Sequence, residues 1–209
     1  MTLDIAILDY GAGNLRSVAN GLEHIGLPGT ITDNPAEILS AKGVILPGVG
    51  SSGAAMAALE ERGMVEPLRQ VAARGTPLFG VCIGLQLLLE GSEEDERPCL
   101  GIVAGQVKRL PKGIKVPHMG WNQVTLSRQH PIFDGVASGS YFYFVHSYYA
   151  QPEDDSLVLG TTDYSVTFCS VLARTNIIAT QFHPEKSGPI GLQLYENFVR
   201  RMVMEGAVP

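Results

Sequence analysis

One stretch constrains this chain more than any other: Pro77-Leu78-Phe79-Gly80-Val81-Cys82-Ile83-Gly84-Leu85-Gln86-Leu87-Leu88-Leu89. Its apolar first part reads as a buried strand and the rest as a helix, which puts a cysteine at the bend. Gly80 and Gly84 stand two residues before and two after Cys82. That is the Gly-x-nucleophile-x-Gly spacing of a sharp strand-to-helix elbow, where side chains larger than hydrogen would collide. A thiol in such a bend faces the free N–H groups and positive dipole end of the helix, which favour its anionic form. Cys82 is therefore a candidate nucleophile. The competing reading is a buried core thiol, since free cysteine is among the most buried residue types.

The 209 residues suffice for one α/β domain with a substantial core, expected to span 1–209. Hydrophobic residues at 45% and charged residues at 17% argue against extensive disorder. A net charge of −6, with no Lys/Arg cluster, speaks against a nucleic-acid partner. Met1 to Ile7 has no basic leader and carries Asp4, so it reads as a first strand and not a signal peptide. The longest apolar run, Pro77 to Leu89, falls short of the roughly 20 residues a membrane helix needs, so no membrane partner is expected. The expected location is the cytoplasm. Three cysteines, Cys82, Cys99 and Cys169, form no CxxC pair, and the five histidines show no metal-ligand spacing. No disulfide framework, metal or cofactor is expected.

Along the chain, Leu3 to Leu8 reads as a strand, and the loop Asp9-Tyr10-Gly11-Ala12-Gly13-Asn14 opens a helix on which Leu15, Val18, Ala19, Leu22 and Ile25 recur. Gly26 is placed to end it. The Gly11-x-Gly13 pair is not a dinucleotide fingerprint, because Arg16 occupies the third glycine position. Thr30 to Thr32 and Val44 to Leu46 read as strands, the latter running into Pro47-Gly48-Val49-Gly50. The glycines of that loop could present an anion-binding N–H pair, although from the loop alone an ordinary Gly-rich turn is the preferred reading. Helices over Ala54 to Glu61 and Met64 to Ala73 lead to the elbow. The β-α-β-α-β-α order predicts a mostly parallel, doubly wound sheet with helices on both faces, whose ligands bind beyond the strand C-termini.

Beyond Gly91 the acidic segment Ser92 to Glu96 reads as a solvated loop with no functional role. The β-rich runs Ile102 to Leu110, Val124 to Leu126, Tyr141 to Ala150, Leu157 to Thr161, Val166 to Ala173 and Ile177 to Gln181 predict antiparallel additions in the C-terminal half. A final helix carries Ile190, Leu194, Phe198 and Met202 on one face.

The last strand ends in Gln181-Phe182-His183-Pro184-Glu185. His183 and Glu185, two apart at a strand end, leave the chain on one side, so Glu185 can orient one imidazole nitrogen while the other faces a nucleophile. A surface His and Glu would be the unremarked alternative. Together with the elbow cysteine they form one consistent Cys-His-Glu triad.

With these residues in view, Gly80-Val81-Cys82-Ile83-Gly84-Leu85-Gln86 and His183-Pro184-Glu185 resemble the motifs of the class I, or triad, glutamine amidotransferases. Asp9 to Leu15, Pro47 to Gly50, His118-Met119-Gly120-Trp121-Asn122, Tyr143 to Tyr149 and Gln181 to Ser187 are similar to segments of that family's glutaminase subunits for imidazole glycerol phosphate synthesis. Ile83 and Leu85 depart from the Leu and Met more usual there. The resemblance implies hydrolysis of L-glutamine through a γ-glutamyl thioester on Cys82. His183 would be the base and acid, with oxyanion donors from Ile83 and from Val49 or Gly50. It implies glutamine contacts from Gly50, Gln86, Ser147, Tyr148 and Tyr143, no cofactor, and a (β/α)8-barrel cyclase subunit as heterodimer partner, with Asn14, Trp121 and Lys186 at the interface. Each of those three could instead be a local structural residue. A free-standing Cys-His-Glu γ-glutamyl hydrolase, a subunit with a dead site, and the glutaminase of another amidotransferase are the alternatives.

Overall fold

The computed structural model describes residues 4–206. The first half runs β1 (Ile5–Leu8), α1 (Leu15–His24), β2 (Thr30–Thr32), α2 (Pro35–Ser40), β3 (Gly43–Gly48), α3 (Ser52–Glu61), α4 (Val65–Ala73), β4 (Leu78–Cys82) and α5 (Ile83–Leu87). The second runs β5 (Gly91–Ser92), β6 (Gly105–Arg109), β7 (His118–Leu126), β8 (Ser140–His146), β9 (Tyr148–Pro152), β10 (Val158–Asp163), β11 (Thr167–Arg174), β12 (Ile177–Thr180) and α6 (Gly188–Asn197). The α6 helix continues as a π-helical turn over Phe198–Met204.

The main sheet follows the order β2-β1-β3-β4-β12-β11-β10-β7-β8. Neighbours from β2 to β12 are parallel, and from β12 to β8 antiparallel. This is the mixed, largely parallel α/β fold with antiparallel additions that the sequence predicts. One placement matters most. The last strand, β12, lies beside β4 in parallel register, Thr180 opposite Val81, so the residues after Thr180 and the elbow emerge at one edge. On the other side of β4, Gly48 of β3 is opposite Cys82, which brings the Pro47 to Gly50 loop to the same place.

β1, β3 and β4 are buried along their whole length, as strands covered on both faces must be. Phe79 meets the rings of Tyr195 and Phe198 at 5.5 and 5.3 Å between centroids, while its neighbour Gly80 packs on Gly84 of α5 across the sheet. Fully burying a side chain such as Phe79 stabilises the fold by about 1.5–3 kcal/mol. Leu194, Phe198 and Met202 lie buried at the predicted four-residue spacing, with Ile190 half-buried.

Several boundaries differ from expectation. Leu3 lies outside the described residues, and the sequence reading missed α2, a short helix whose Asn34 side chain accepts from the Ala36 amide. β7 begins at His118 rather than Val124: its first half lacks a β-branched run and is held by pairing with β8 from His118–His146 onward. The run Tyr141 to Ala150 breaks at Ser147, because β8 pairs with β7 whereas β9 pairs with β6 and β11. Residues 102–104 are not strand; β6 starts at Gly105.

Candidate active site

Cys82 is the last residue of β4 and precedes α5 directly, with φ +56° and ψ −104°. Few non-glycine residues adopt such a backbone, and holding one costs about 1–3 kcal/mol that the surrounding packing must offset. Gly84 shows how tight the bend is: a Cβ there would sit 2.0 Å from the Leu46 carbonyl oxygen. A Cβ on Gly80 would sit 2.9 Å from the Gly84 carbonyl.

His183 Nδ1 and Glu185 Oε1 lie 2.9 Å apart with both side chains almost wholly buried. The contact does not arise from strand alternation. β12 ends at Thr180, and Pro184–Lys186 form a 3-10 turn that His183 caps, so Glu185 swings back to the ring within that turn. Proline at the first position of a helical turn has the required φ and lacks only an N–H that would be unbonded anyway. The backbone is tied further by Ser187 Oγ donating to the His183 carbonyl at 2.7 Å and by the His183 amide donating to the Tyr143 carbonyl at 2.9 Å. Glu185 also accepts from Asn14 Nδ2 and from the Tyr195 hydroxyl, each at 3.4 Å.

Burial alone would lower the His183 pKa, but hydrogen bonds and charge from Cys82 and Glu185 outweigh it and raise the pKa to about 9. Burial pushes the Glu185 carboxyl up, yet the hydrogen bond and charge of His183 outweigh this and hold it below its usual range. A charged imidazolium between the Cys82 sulfur and the Glu185 carboxylate is thus the favoured state at neutral pH. By contrast, burial raises Cys99 to about 11 and Cys169 to about 12.

A pocket of about 390 Å³ opens on Cys82 and His183, lined also by Val49, Gly50, Ile83, Gln86, Ser147, Tyr148 and Lys186. A larger cavity, about 650 Å³ beside Arg69, Arg174 and Asn176, lies by the opposite, N-terminal ends of β4 and β12, away from this chemistry. Among the expected contacts, Tyr143 is not a lining residue. Its ring lies between Trp121, at 6.1 Å, and the Lys186 ammonium, at 5.9 Å. Asn14 turns inward to Glu185, while Trp121 is 55% exposed.

Three residues at the site were not among those the sequence assigned to it. Glu94, from the supposedly idle acidic loop, lines the pocket and accepts from the Ser52 amide and hydroxyl at 2.8 and 3.1 Å. Gln181 Nε2 donates to Cys82 Sγ at 3.7 Å. His146, also lining the pocket, contacts the Tyr148 carbonyl through Nδ1 at 2.8 Å. Only Gln181 carried a local signal, its place at a strand end two residues before His183. Among the described residues no three His, Cys, Asp or Glu side chains gather to hold a metal ion, and no helix is long and apolar enough to cross a membrane.

The family described as glutamine amidotransferase class-I matches residues 6–202. A Dehalococcoides mccartyi protein named imidazole glycerol phosphate synthase subunit HisH is 51% identical, over 94% of this chain and 96% of its own. A Moorella thermoacetica protein of the same name is 52% identical over 93% of each chain. Among solved structures, PurLQS from Thermotoga maritima superposes with a TM-score of 0.75 at 18% identity, covering 97% of this chain and 100% of that one. A glutamine amidotransferase crystal structure gives 0.74 at 19% identity, covering 94% and 97%. With that fold, that pocket and relatives of this likeness, the chain belongs to the glutamine amidotransferase class-I family.

Proposed function

We propose that this protein is the glutaminase subunit of an imidazole glycerol phosphate synthase, hydrolysing L-glutamine and passing the ammonia to a (β/α)8-barrel cyclase subunit in histidine biosynthesis. One domain over residues 1–209 carries the activity, in the cytoplasm. The observation that carries the reading is the buried Cys82–His183–Glu185 arrangement at a pocket, in a chain about half identical to proteins named as that synthase's subunit.

In this mechanism the Cys82 sulfur bonds to the side-chain amide carbon of glutamine, and the carbonyl opens to a tetrahedral oxyanion. The Ile83 amide and a Val49 or Gly50 amide stabilise that oxygen, one such donor being worth ~100- to 1,000-fold in rate. His183, as imidazolium, protonates the amide nitrogen; the C–N bond breaks, ammonia leaves, and a γ-glutamyl thioester remains. His183 then takes a proton from water, which attacks the thioester and returns glutamate and the Cys82 thiolate. Glu185 holds the His183 ring throughout and stabilises it whenever it is an imidazolium, itself positioned by Asn14 and Tyr195. At the amino-acid end, Ser147 and Tyr148 form the wall. Glu94, the carboxylate lining the pocket, takes the α-ammonium, and Gln86 lines the same pocket.

A glutaminase that feeds a partner needs a docking face at its pocket. Met119, Trp121 and Tyr141 are 60%, 55% and 53% exposed on one face of β7 and β8, and Val145 of the same face lines the pocket. Aromatic and methionine side chains in such a cluster mark an interface. The test is labelling with a glutamine analogue bearing an electrophile at the amide position. One adduct on the Cys82 peptide is expected; an adduct on Cys99 or Cys169 instead would overturn the reading.

A further inference from the structure

We propose that Gln181 is a further catalytic residue: its side-chain amide donates to the Cys82 sulfur and holds it as the thiolate, with the amide's polarity fixed by a backbone carbonyl across the pocket wall. This rests on Cys82 being the nucleophile. Gln181 is fully buried, and its Nε2 lies 3.7 Å from Cys82 Sγ, within reach for a hydrogen bond to sulfur. A side-chain amide could face the sulfur with either end, and an oxygen there would repel a thiolate.

The surroundings allow only the nitrogen. Gln86 Nε2 is 2.9 Å from the Tyr148 carbonyl and 3.1 Å from Gln181 Oε1. The Tyr148 carbonyl can only accept, so Gln86 must present its NH2 there, and the second hydrogen of that NH2 then requires an oxygen from Gln181. With Gln181 Oε1 committed to Gln86, its NH2 is left to face Cys82. Flipping both amides would set oxygen against oxygen at Tyr148, and flipping Gln181 alone would set NH2 against NH2 between the glutamines.

The carbonyl that decides this is itself held. His146 Nδ1 lies 2.8 Å from it and must carry the proton; burial pushes the His146 pKa down to about 3, so the ring is neutral and Nε2 is a bare acceptor. His118 Nδ1 donates to that nitrogen at 2.9 Å. Burial lowers His118 to about 4, so its Nε2 in turn accepts from Asn122 Nδ2 at 3.2 Å. Asn122 spends its other hydrogen on the Asp163 carbonyl at 2.9 Å. Every donor from β7 to the nucleophile therefore has one permitted direction.

The test measures the pH profile of Cys82 alkylation by iodoacetamide, followed on its own peptide, and the kcat and KM of glutamate release by the full chain in complex with its cyclase subunit. In Gln181→Met the alkylation midpoint should rise by about one pH unit, and kcat should fall about tenfold or more with KM within about threefold. Gln181→Glu keeps the acceptor for Gln86 but sets a negative oxygen beside the sulfur, so its midpoint should rise further. It decides the matter alone if the methionine variant does not fold. Folded variants with the wild-type alkylation profile, or with the loss confined to KM, would overturn the proposal. A wild type whose glutamate release survives Cys82 alkylation would instead overturn the nucleophile assignment beneath it.

Discussion

The two halves of the sheet solve different problems. β2-β1-β3-β4-β12 is parallel, its strands inside the β2 edge are buried on both faces, and it ends in the elbow and the His183 turn. β11-β10-β7-β8 is antiparallel, and its outer pair β7-β8 has one face on the core and another carrying Met119, Trp121 and Tyr141 in solvent. A strained residue such as Cys82, the proposed nucleophile, needs surroundings that cannot relax, and close-packed parallel strands provide them. A docking face needs exposed apolar side chains, which only the half-covered sheet can offer. Substitutions in the parallel half should therefore damage chemistry or folding, and those in the antiparallel half should damage association.

The largest effect is expected for Glu185→Gln, which keeps the shape but loses the charge that holds the imidazolium. Glutamate release should fall on the order of 1,000-fold, or about 4 kcal/mol in the barrier, read as kcat. The same variant has a pH signature. Because the folded His183 pKa is raised to about 9, its stabilisation is complete below the ordinary value near 6.5 and fades as pH rises through 9. The lowered Glu185 pKa adds stabilisation that is present above the ordinary carboxylate range and lost as pH falls below it. The melting-temperature gap between wild type and Glu185→Gln should be widest between about pH 4.5 and 6.5 and close toward pH 9 and above. A gap that widened above pH 9 would contradict the pairing.

Next comes Gly84→Ala, whose Cβ would collide with the Leu46 carbonyl oxygen; urea denaturation should show a loss of about 3 kcal/mol, at the upper end for overpacking. Trp121→Ala sharpens the comparison from the other side. Affinity for the cyclase subunit should drop by about 2 kcal/mol in titration calorimetry, while stability changes by no more than about 0.5 kcal/mol. A loss of stability matching Gly84→Ala would mean that Trp121 is a core residue after all. The smallest effect is expected for Tyr195→Phe, which removes the 3.4 Å bond to Glu185 and should lower kcat by roughly threefold to tenfold.

The same contrast governs what the sequence discloses. The parallel half announces itself, because doubly buried strands are continuous apolar runs, and an elbow must carry glycine where Gly80 and Gly84 stand. The antiparallel half does not: β7 opens with His118, Gly120 and Asn122, whose strand conformation comes from pairing with β8 and not from propensity. Glu94 looked like solvated surface because its place at the pocket depends on Ser52, 42 residues away. Gln181 and Gln86 meet across 95 residues, and no local pattern records which end of each amide faces which partner. The proximity of His183 and Glu185 was legible from their spacing, but the means was not, since proline starts a 3-10 turn where alternation along a strand was expected.

The claim that this pocket exists to liberate ammonia for a partner is tested most directly by the Cys82→Ala complex with its cyclase subunit, assayed for imidazole glycerol phosphate formation from glutamine and, separately, from added ammonium at alkaline pH. The account predicts loss of the glutamine-dependent reaction with the ammonium-dependent rate kept. Retained glutamine-dependent synthesis, or equal loss of both, would contradict it.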